Sequence, residues 1–128
     1  MSRVLIPVLH PDDCSDFFLY HSTEDASVVY LLLVLDAHSL SSFGFKTSEI
    51  MRGRELVERM KEKIKGNKRL CTDILEWGET IEKLVQIAEM KKVDKICLRQ
   101  PDNQSYFQQW VDSIKEKTSI PVEIITKA

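Results

Sequence analysis

The chain of 128 residues is long enough for one domain with a hydrophobic core, and we predict a single domain over residues 1–128. Its 43% hydrophobic and 30% charged residues are ordinary for a folded protein and exclude a disordered chain. Its 18 basic and 20 acidic side chains nearly cancel, so the charge gives no basis for a nucleic-acid-binding protein.

Five short apolar runs predict five β-strands. Most of these runs are continuous rather than alternating, which is typical of strands covered on both faces by helices. The most apolar run, VVYLLLVL, has eight residues and is too short to cross a bilayer, so we predict no membrane partner. The predicted strands span residues 4–8, 28–35, 70–75, 95–98 and 122–126.

Apolar residues at helical spacing predict a helix between each pair of strands. The second helix has Gly53 on its apolar face, where a neighbour can approach closely, and Gly66 and Asn67 indicate its end. We interpret the alternating charges over residues 52–69, eight basic and three acidic, as a solvated helix face with i,i+4 pairs. The four apolar stripes are Cys14, Phe17, Phe18 and His21; Ile50, Val57, Met60 and Ile64; Ile81, Leu84, Val85 and Ala88; and Phe107, Trp110, Val111 and Ile114.

The alternation of strands and helices predicts an α/β fold, an open doubly wound parallel five-stranded sheet with helices on both faces. Ligands of such sheets bind beyond the carboxyl ends of the strands, where the strand order reverses. The segments to inspect are therefore residues 9–15, 36–39, 76–78 and 99–105.

The three cysteines are an odd number without a CxxC pair, which excludes a disulfide framework and a zinc knuckle. Cys71 and Cys97 lie within predicted strands and are interpreted as buried apolar residues. The start, MSRVLIPV, shows no targeting segment. We therefore predict a cytoplasmic protein.

Several segments resemble the universal stress protein family, whose fold is that of the adenine nucleotide alpha hydrolases. VLIPV is similar to its first strand, and DCS to the turn that follows, after an interruption of four residues, LHPD. EWGETIEKLVQIAEMKKVDKICL is similar to a strand, glycine turn, helix and aspartate-led strand, with Gly78 and Asp94 at the matching positions. TSIPVEII is similar to the last strand. The resemblance implies a stress-response protein and a homodimer formed through the last strand, residues 122–126.

Family members that bind ATP carry a glycine-rich loop after the fourth strand, and this chain departs from them there. Residues 98–118 contain no glycine, and Pro101 lacks a backbone donor. We therefore predict no cofactor, with ATP and AMP disfavoured. Asp102, Asn103 or Ser105 is expected instead to cap a helix that begins near Gln104.

We predict a non-catalytic regulatory or stress-response module that does not bind ATP in the family manner. Such a module is compatible with a protein partner, which the sequence does not identify. The alternative is an adenine-nucleotide-binding protein or weak ATPase with a remodelled phosphate loop. In that case Arg99 or Ser105 would lie near the phosphates. The nucleoside would contact Asp13, Ser15, Leu35, Asp36 and Ala37.

Two further hypotheses use polar residues beyond the first two strands. A metal-dependent enzyme would bind its ion through His10 and His38, helped by Asp12, Asp13, Cys14 and Asp36, although their spacing matches no established ligand motif. A nucleophilic Cys14 would need His10 or His38 as a base, and no hydrolase motif surrounds it. Trp77 and Trp110 are interpreted as packing residues.

Overall fold

The computed structural model describes residues 2–38, 44–65, 69–102 and 106–126. Five strands alternate with four α-helices, and two short 3₁₀ turns, Pro11–Cys14 and Thr47–Glu49, precede the first and second helices. The strands are β1 (Arg3–Pro7), β2 (Val28–Leu35), β3 (Leu70–Trp77), β4 (Lys95–Arg99) and β5 (Val122–Ile125). The helices are α1 (Asp16–Thr23), α2 (Ile50–Lys65), α3 (Thr80–Met90) and α4 (Phe107–Lys117).

The five strands form one parallel sheet in the order β3-β2-β1-β4-β5, which confirms the predicted fold class. β1 lies at the centre, with Ile6 aligned with Leu31 of β2 and Leu5 aligned with Ile96 of β4. The strand order therefore reverses between β1 and β4, and this reversal places the switch point at their carboxyl ends.

The helices cover both faces of the sheet, as predicted. Val4 and Ile6 of β1 pack in one core with residues of α1 and α2, whereas Leu5 packs in a second core with residues of α3 and α4. Alternate side chains of one strand thus enter opposite cores, which is why the strand sequences are continuously apolar.

Helix α2 confirms the role predicted for Gly53. A Cβ atom at this position would lie 2.9 Å from the Cδ atoms of Leu33, so any larger residue would force the Leu33 side chain to shift. The charges on α2 reach other elements rather than forming the expected i,i+4 pairs: Lys61 contacts Asp73 at 2.7 Å and Lys63 contacts Asp16 at 2.9 Å. Gly66 and Asn67, the predicted end of this helix, lie outside the described residues.

The apolar face predicted for the first helix is wrong in part. Ser15 caps α1 by accepting a hydrogen bond from the Phe18 backbone N–H at 3.2 Å, so Cys14 precedes the helix and lies in the 3₁₀ turn. The buried face consists of Phe18, Leu19, Ser22 and Thr23, and Phe17 is 39% exposed. Ser22 and Thr23 are polar, so the sequence alone did not indicate that they lie on the buried face. They can be buried because both hydroxyls donate hydrogen bonds to the Leu19 carbonyl and need no water.

The predicted start of the last helix is also wrong. α4 begins at Phe107, and its N-cap residue is Tyr106, which makes no side-chain cap hydrogen bond, so the N-cap is not Asp102 as expected. Asn103, Gln104 and Ser105 lie outside the described residues. Trp110 is partly buried against the second core as expected, but Trp77 is 54% exposed at the end of β3, and the packing role predicted for it is wrong.

The two positions matched to the family in the centre of the chain have clear structural roles. Gly78 has a φ of +145°, which residues with a Cβ rarely adopt, and it turns the chain from β3 towards α3. Asp94 accepts a hydrogen bond from the Arg3 backbone N–H at 2.7 Å and so ties the start of β4 to β1. In the described part of the chain, no helix has the length and apolarity required to span a membrane.

Candidate functional site

The crevice at the switch point lies between the chain that leaves β1 and the chain that leaves β4. The first passes through His10 and the 3₁₀ turn Pro11–Cys14 into α1, and the second continues from Arg99 towards α4. In open parallel sheets this is where ligands bind.

Asp13 is buried at this crevice, and both of its carboxylate oxygens are engaged. Oδ2 accepts hydrogen bonds from the backbone N–H groups of Leu9 at 2.8 Å and His10 at 3.1 Å. Oδ1 accepts a hydrogen bond from Nε of Arg99 at 2.9 Å. Because a buried carboxylate needs partners, these bonds fix the 3₁₀ turn against the end of β4.

Arg99 is the last residue of β4, and its guanidinium crosses the crevice to Asp13. Its side chain is only 16% exposed, and Nη1 donates to the carbonyl of Gln100 at 3.2 Å. The cation predicted to be available for phosphates is therefore engaged within the protein. We call this contact the Asp13–Arg99 pair.

Burial and pairing act in opposite directions on Asp13. Burial raises the pKa of the Asp13 carboxyl, while the hydrogen bonds from Leu9 and Arg99 and the positive charge of Arg99 lower it, and burial is the larger effect. The Leu9 backbone N–H and the Arg99 guanidinium thus together favour the ionised carboxylate against the effect of burial.

The residues predicted at the end of β2 do not enter the crevice. Asp36 Oδ2 accepts hydrogen bonds from the backbone N–H of Thr80 at 3.2 Å and its hydroxyl at 3.3 Å, and Oδ1 accepts from the His38 backbone N–H at 2.9 Å. Asp36 therefore stabilises the start of α3. Leu35 is buried in the first core, and Ala37 is exposed.

The two serines of the nucleotide hypothesis have different outcomes. Ser15 lies beside the crevice, but its hydroxyl oxygen is occupied as the cap of α1. Ser105 lies outside the described residues. Of the seven residues in that hypothesis, the structure brings together Asp13, Ser15 and Arg99.

A cleft of about 480 Å³ opens beside the Asp13–Arg99 pair, on the side of α1 and α2. Lys63 lies on its wall and is held by the Cys14 carbonyl at 2.8 Å and Asp16 at 2.9 Å. Arg59, one helical turn earlier, is exposed and has no hydrogen bond or ion pair among the described residues. The wall also includes Phe17, Arg99, Asp12 and Asp102. The cleft thus combines three cations with two carboxylates and an aromatic ring.

Sequence reasoning did not identify Arg59 and Lys63 as residues of this cleft. Arg59 and Lys63 are four residues apart and therefore lie on one face of α2, and this spacing could have indicated that they act together. Because acidic residues alternate with them, the segment was interpreted as a solvated surface.

The metal hypothesis finds no support in the geometry. Among residues 2–38, 44–65, 69–102 and 106–126, no three His, Cys, Asp or Glu side chains lie close enough to hold an ion together. His10 Nδ1 accepts a hydrogen bond from the Asp12 backbone N–H at 3.0 Å, and Asp13 binds Arg99.

Two of the three thiols are unsuited to nucleophilic chemistry. Burial raises the pKa of Cys71 to about 11 and that of Cys97 to about 12, so both stay protonated at neutral pH. Cys14 is partly exposed and lines the cleft, where its carbonyl accepts a hydrogen bond from Lys63.

These observations define an open, doubly wound α/β domain with its crevice between the first and fourth strands. Solved structures of universal stress proteins share this fold. A universal stress protein from Archaeoglobus fulgidus in complex with dAMP is 17% identical, with a TM-score of 0.74 and 98% of each chain covered. A family protein from Arabidopsis thaliana with AMP bound is 13% identical, with a TM-score of 0.66 over 100% of this chain and 93% of that chain.

A universal stress protein in complex with cAMP is likewise 13% identical, with a TM-score of 0.66, covering 99% of this chain and 98% of that chain. No family model matches the sequence, and no curated protein matches it. The chain therefore has the universal stress protein fold, shared across nearly its whole length at low sequence identity.

Proposed function

We propose that this protein is a non-catalytic regulatory module of the universal stress protein fold that does not hold ATP in the family manner. The observation that supports this proposal is the Asp13–Arg99 pair, which occupies the switch point with both partners engaged. A stress-response role is part of the proposal and rests on the fold shared with universal stress proteins.

Opening the crevice to a nucleotide would require Asp13 or Arg99 to give up its partner. Removing one member of a buried ion pair costs about 3–5 kcal/mol, because the other charge stays buried without compensation. A bound nucleotide would have to supply this free energy before it gained any affinity.

The chain after β4 has few groups that could bind phosphates in place of a glycine-rich loop. Residues 98–118 contain no glycine, so a Cβ atom stands wherever backbone N–H groups would have to approach phosphates closely. Pro101 provides no N–H at all. The segment without glycine and the Asp13–Arg99 pair thus both favour a protein that does not hold ATP in the family manner.

A second candidate is a protein that binds a nucleoside monophosphate in the cleft beside the Asp13–Arg99 pair. Two observations favour it: proteins of the same fold hold dAMP, cAMP or AMP, and Arg59, Lys63 and Phe17 line the cleft. Arg59 is available to pair with one phosphate, and the ring of Phe17 to contact a base. This binding would leave the Asp13–Arg99 pair intact.

Titration calorimetry of the full chain with ATP, ADP and AMP in the presence of Mg²⁺ separates the two candidates. We expect no saturable heat with ATP or ADP, and AMP reports on the second candidate. If AMP binds, Arg59→Gln should weaken it, whereas the matched variant Arg54→Gln, on the same helix but outside the cleft, should not. Saturable ATP binding at micromolar concentration would contradict the main proposal.

A further inference from the structure

The 3₁₀ turn Pro11–Cys14 is capped by two side chains that bond in opposite directions. The Nδ1 atom of His10 accepts a hydrogen bond from the Asp12 backbone N–H at 3.0 Å. In return, Oδ2 of Asp13 accepts a hydrogen bond from the His10 backbone N–H at 3.1 Å. Since the same Asp13 carboxylate also accepts a hydrogen bond from Arg99, the cap of this turn and the Asp13–Arg99 pair form one connected set of bonds.

The cap made by His10 requires a neutral imidazole. A ring nitrogen accepts a hydrogen bond only while it carries no proton, so the proton of the neutral ring lies on Nε2. Protonation would place an N–H group at Nδ1 against the Asp12 N–H, and two donors cannot bond to each other. The His10 side chain is 41% exposed, so water reaches the ring. Because imidazoles change their charge in the range of roughly pH 5 to 8, this cap can respond to modest acidification.

A second acceptor for a protonated His10 lies beside the cap. Oδ2 of Asp12 is 3.5 Å from Nδ1 of His10, and the Asp12 side chain is 62% exposed. While the ring is neutral this contact is not an ion pair, because Nδ1 has no proton to donate. A proton on Nδ1 would make it one, and the imidazole would exchange the backbone N–H of Asp12 for the carboxylate of the same residue.

The charges around this turn come from three elements. They are Asp12, Asp13 and Asp16 of the turn and α1, Arg52, Glu55, Arg59 and Lys63 of α2, and Arg99 and Asp102 at the end of β4. Among residues 2–38, 44–65, 69–102 and 106–126, Asp12 supplies the only carboxylate in contact with the His10 ring. The response of His10 to pH therefore depends on Asp12 first.

We propose that His10 is a pH sensor that weakens the Asp13–Arg99 pair when its ring is protonated. The protonated ring binds the Asp12 carboxylate instead of the Asp12 backbone, so the turn loses its cap and holds Asp13 less firmly against Arg99. Arg99 also lines the cleft of about 480 Å³, so its release places a further cation there. This inference rests on the closed switch point of the proposed function and names what opens it.

The test is nuclear magnetic resonance of the full chain from about pH 8 to about pH 5, for the wild type and three histidine variants. The chain contains three histidines, and each is replaced by asparagine in turn. Asparagine at position 10 keeps a side-chain acceptor and is a favoured N-cap residue, but it does not titrate. His21 on α1 and the exposed His38 beyond β2 provide the matched controls, His21→Asn and His38→Asn.

In the wild type, the Leu9 and His10 amides, which donate to Asp13, should become less protected against hydrogen exchange as pH falls. Their protection factors should fall about fivefold, the effect of losing one N-cap hydrogen bond. The midpoint should coincide with the titration of the His10 ring, and the Asp12 amide signal should shift upfield at the same pH. His21→Asn and His38→Asn should behave like the wild type, whereas His10→Asn should keep its protection throughout.

Asp12→Asn tests the proposed second acceptor. It should move the midpoint to lower pH, because the carboxylate that stabilises the protonated ring is gone. An unchanged midpoint in this variant would overturn the exchange of acceptors.

Three results would overturn the sensor itself. The first is protection at Leu9 and His10 that does not depend on pH. The second is an equal fall in His10→Asn, which would attribute the change to Asp13. The third is an equal fall at the amides of β2, which would attribute it to destabilisation of the whole fold. None of these results bears on the closed switch point at neutral pH, which the ATP calorimetry tests separately.

Discussion

Asp13 and Arg99 are 86 residues apart in the chain and in direct contact in the structure. Each has a second attachment: Asp13 to the backbone at the end of β1, and Arg99 to the carbonyl of Gln100. The pair therefore joins the two loops that would otherwise open around a ligand. This is the physical basis for proposing a closed switch point.

Replacing Arg99 with glutamine should lower the free energy of unfolding by about 3–5 kcal/mol at neutral pH, because Asp13 would remain buried without its cation. The double variant Asp13→Asn with Arg99→Gln should recover part of this loss, since no charge remains in the interior. Urea denaturation of the three proteins measures both effects. Arg52→Gln is the control: Arg52 pairs with Glu49 at the surface, and its loss should cost less than about 1 kcal/mol.

The cost of Arg99→Gln should also depend on pH. The pKa of Asp13 in the folded protein lies above its ordinary value of 3.8, so the folded state binds more protons than the unfolded state between these two values. The contribution of Asp13 to stability therefore falls as pH rises through this window. Without Arg99 the folded pKa rises further, so Arg99→Gln should be much less destabilising near pH 4 than at pH 7. An equal loss at both pH values would contradict a buried, charge-dependent pair.

Helix α3 connects β3 to β4 and is bounded by two unusual backbone positions. Gly78 precedes it with a φ of +145°, and Lys92 follows it with a φ of 55°. Glycine suits the first position, whereas at the second a residue with a Cβ atom adopts the left-handed conformation that commonly ends a helix.

Lys92→Gly should stabilise the protein by about 1 kcal/mol, because glycine adopts this backbone conformation without steric cost. Thermal denaturation measures the change. The matched variant Lys92→Ala removes the same charged side chain but keeps the Cβ atom. It should show no comparable gain, and equal stabilisation by both variants would attribute the effect to the lost charge instead.

The elements with a long apolar run or a clear helical spacing of apolar residues were predicted well. β2 matches its predicted bounds, and the apolar face of α2 is buried as expected because Val57, Met60 and Ile64 repeat at helical spacing. α1 was predicted less well, since it has only eight residues and buries two hydroxyl groups that resemble surface residues in the sequence. The start of α4 was missed because its N-cap residue is Tyr106, a residue type that does not indicate a helix start.

The doubly wound parallel sheet followed from the alternation of strands and helices, and it directed attention to the ends of the first four strands, which include those of β1 and β4. The contacts at those ends could not be predicted from the sequence. The sequence contains no local pattern that links Asp13 to Arg99 or that brings Arg59 and Lys63 beside them, since each contact depends on how separate elements pack. Asp36 was predicted to contact a nucleoside because its contact with the start of α3 also depends on how separate elements pack. In the structure it stabilises α3.

Nuclear magnetic resonance of the Arg99 side chain tests the closed switch point in the intact protein. If Nε of Arg99 donates to Asp13, its proton should exchange slowly with water and give a distinct signal. We predict that this signal and the backbone amides of Leu9 and His10, which donate to the same carboxylate, remain unchanged as ATP is added to millimolar concentration. A saturable shift of these three signals with ATP, or a rapidly exchanging Arg99 side chain in the free protein, would contradict the proposal.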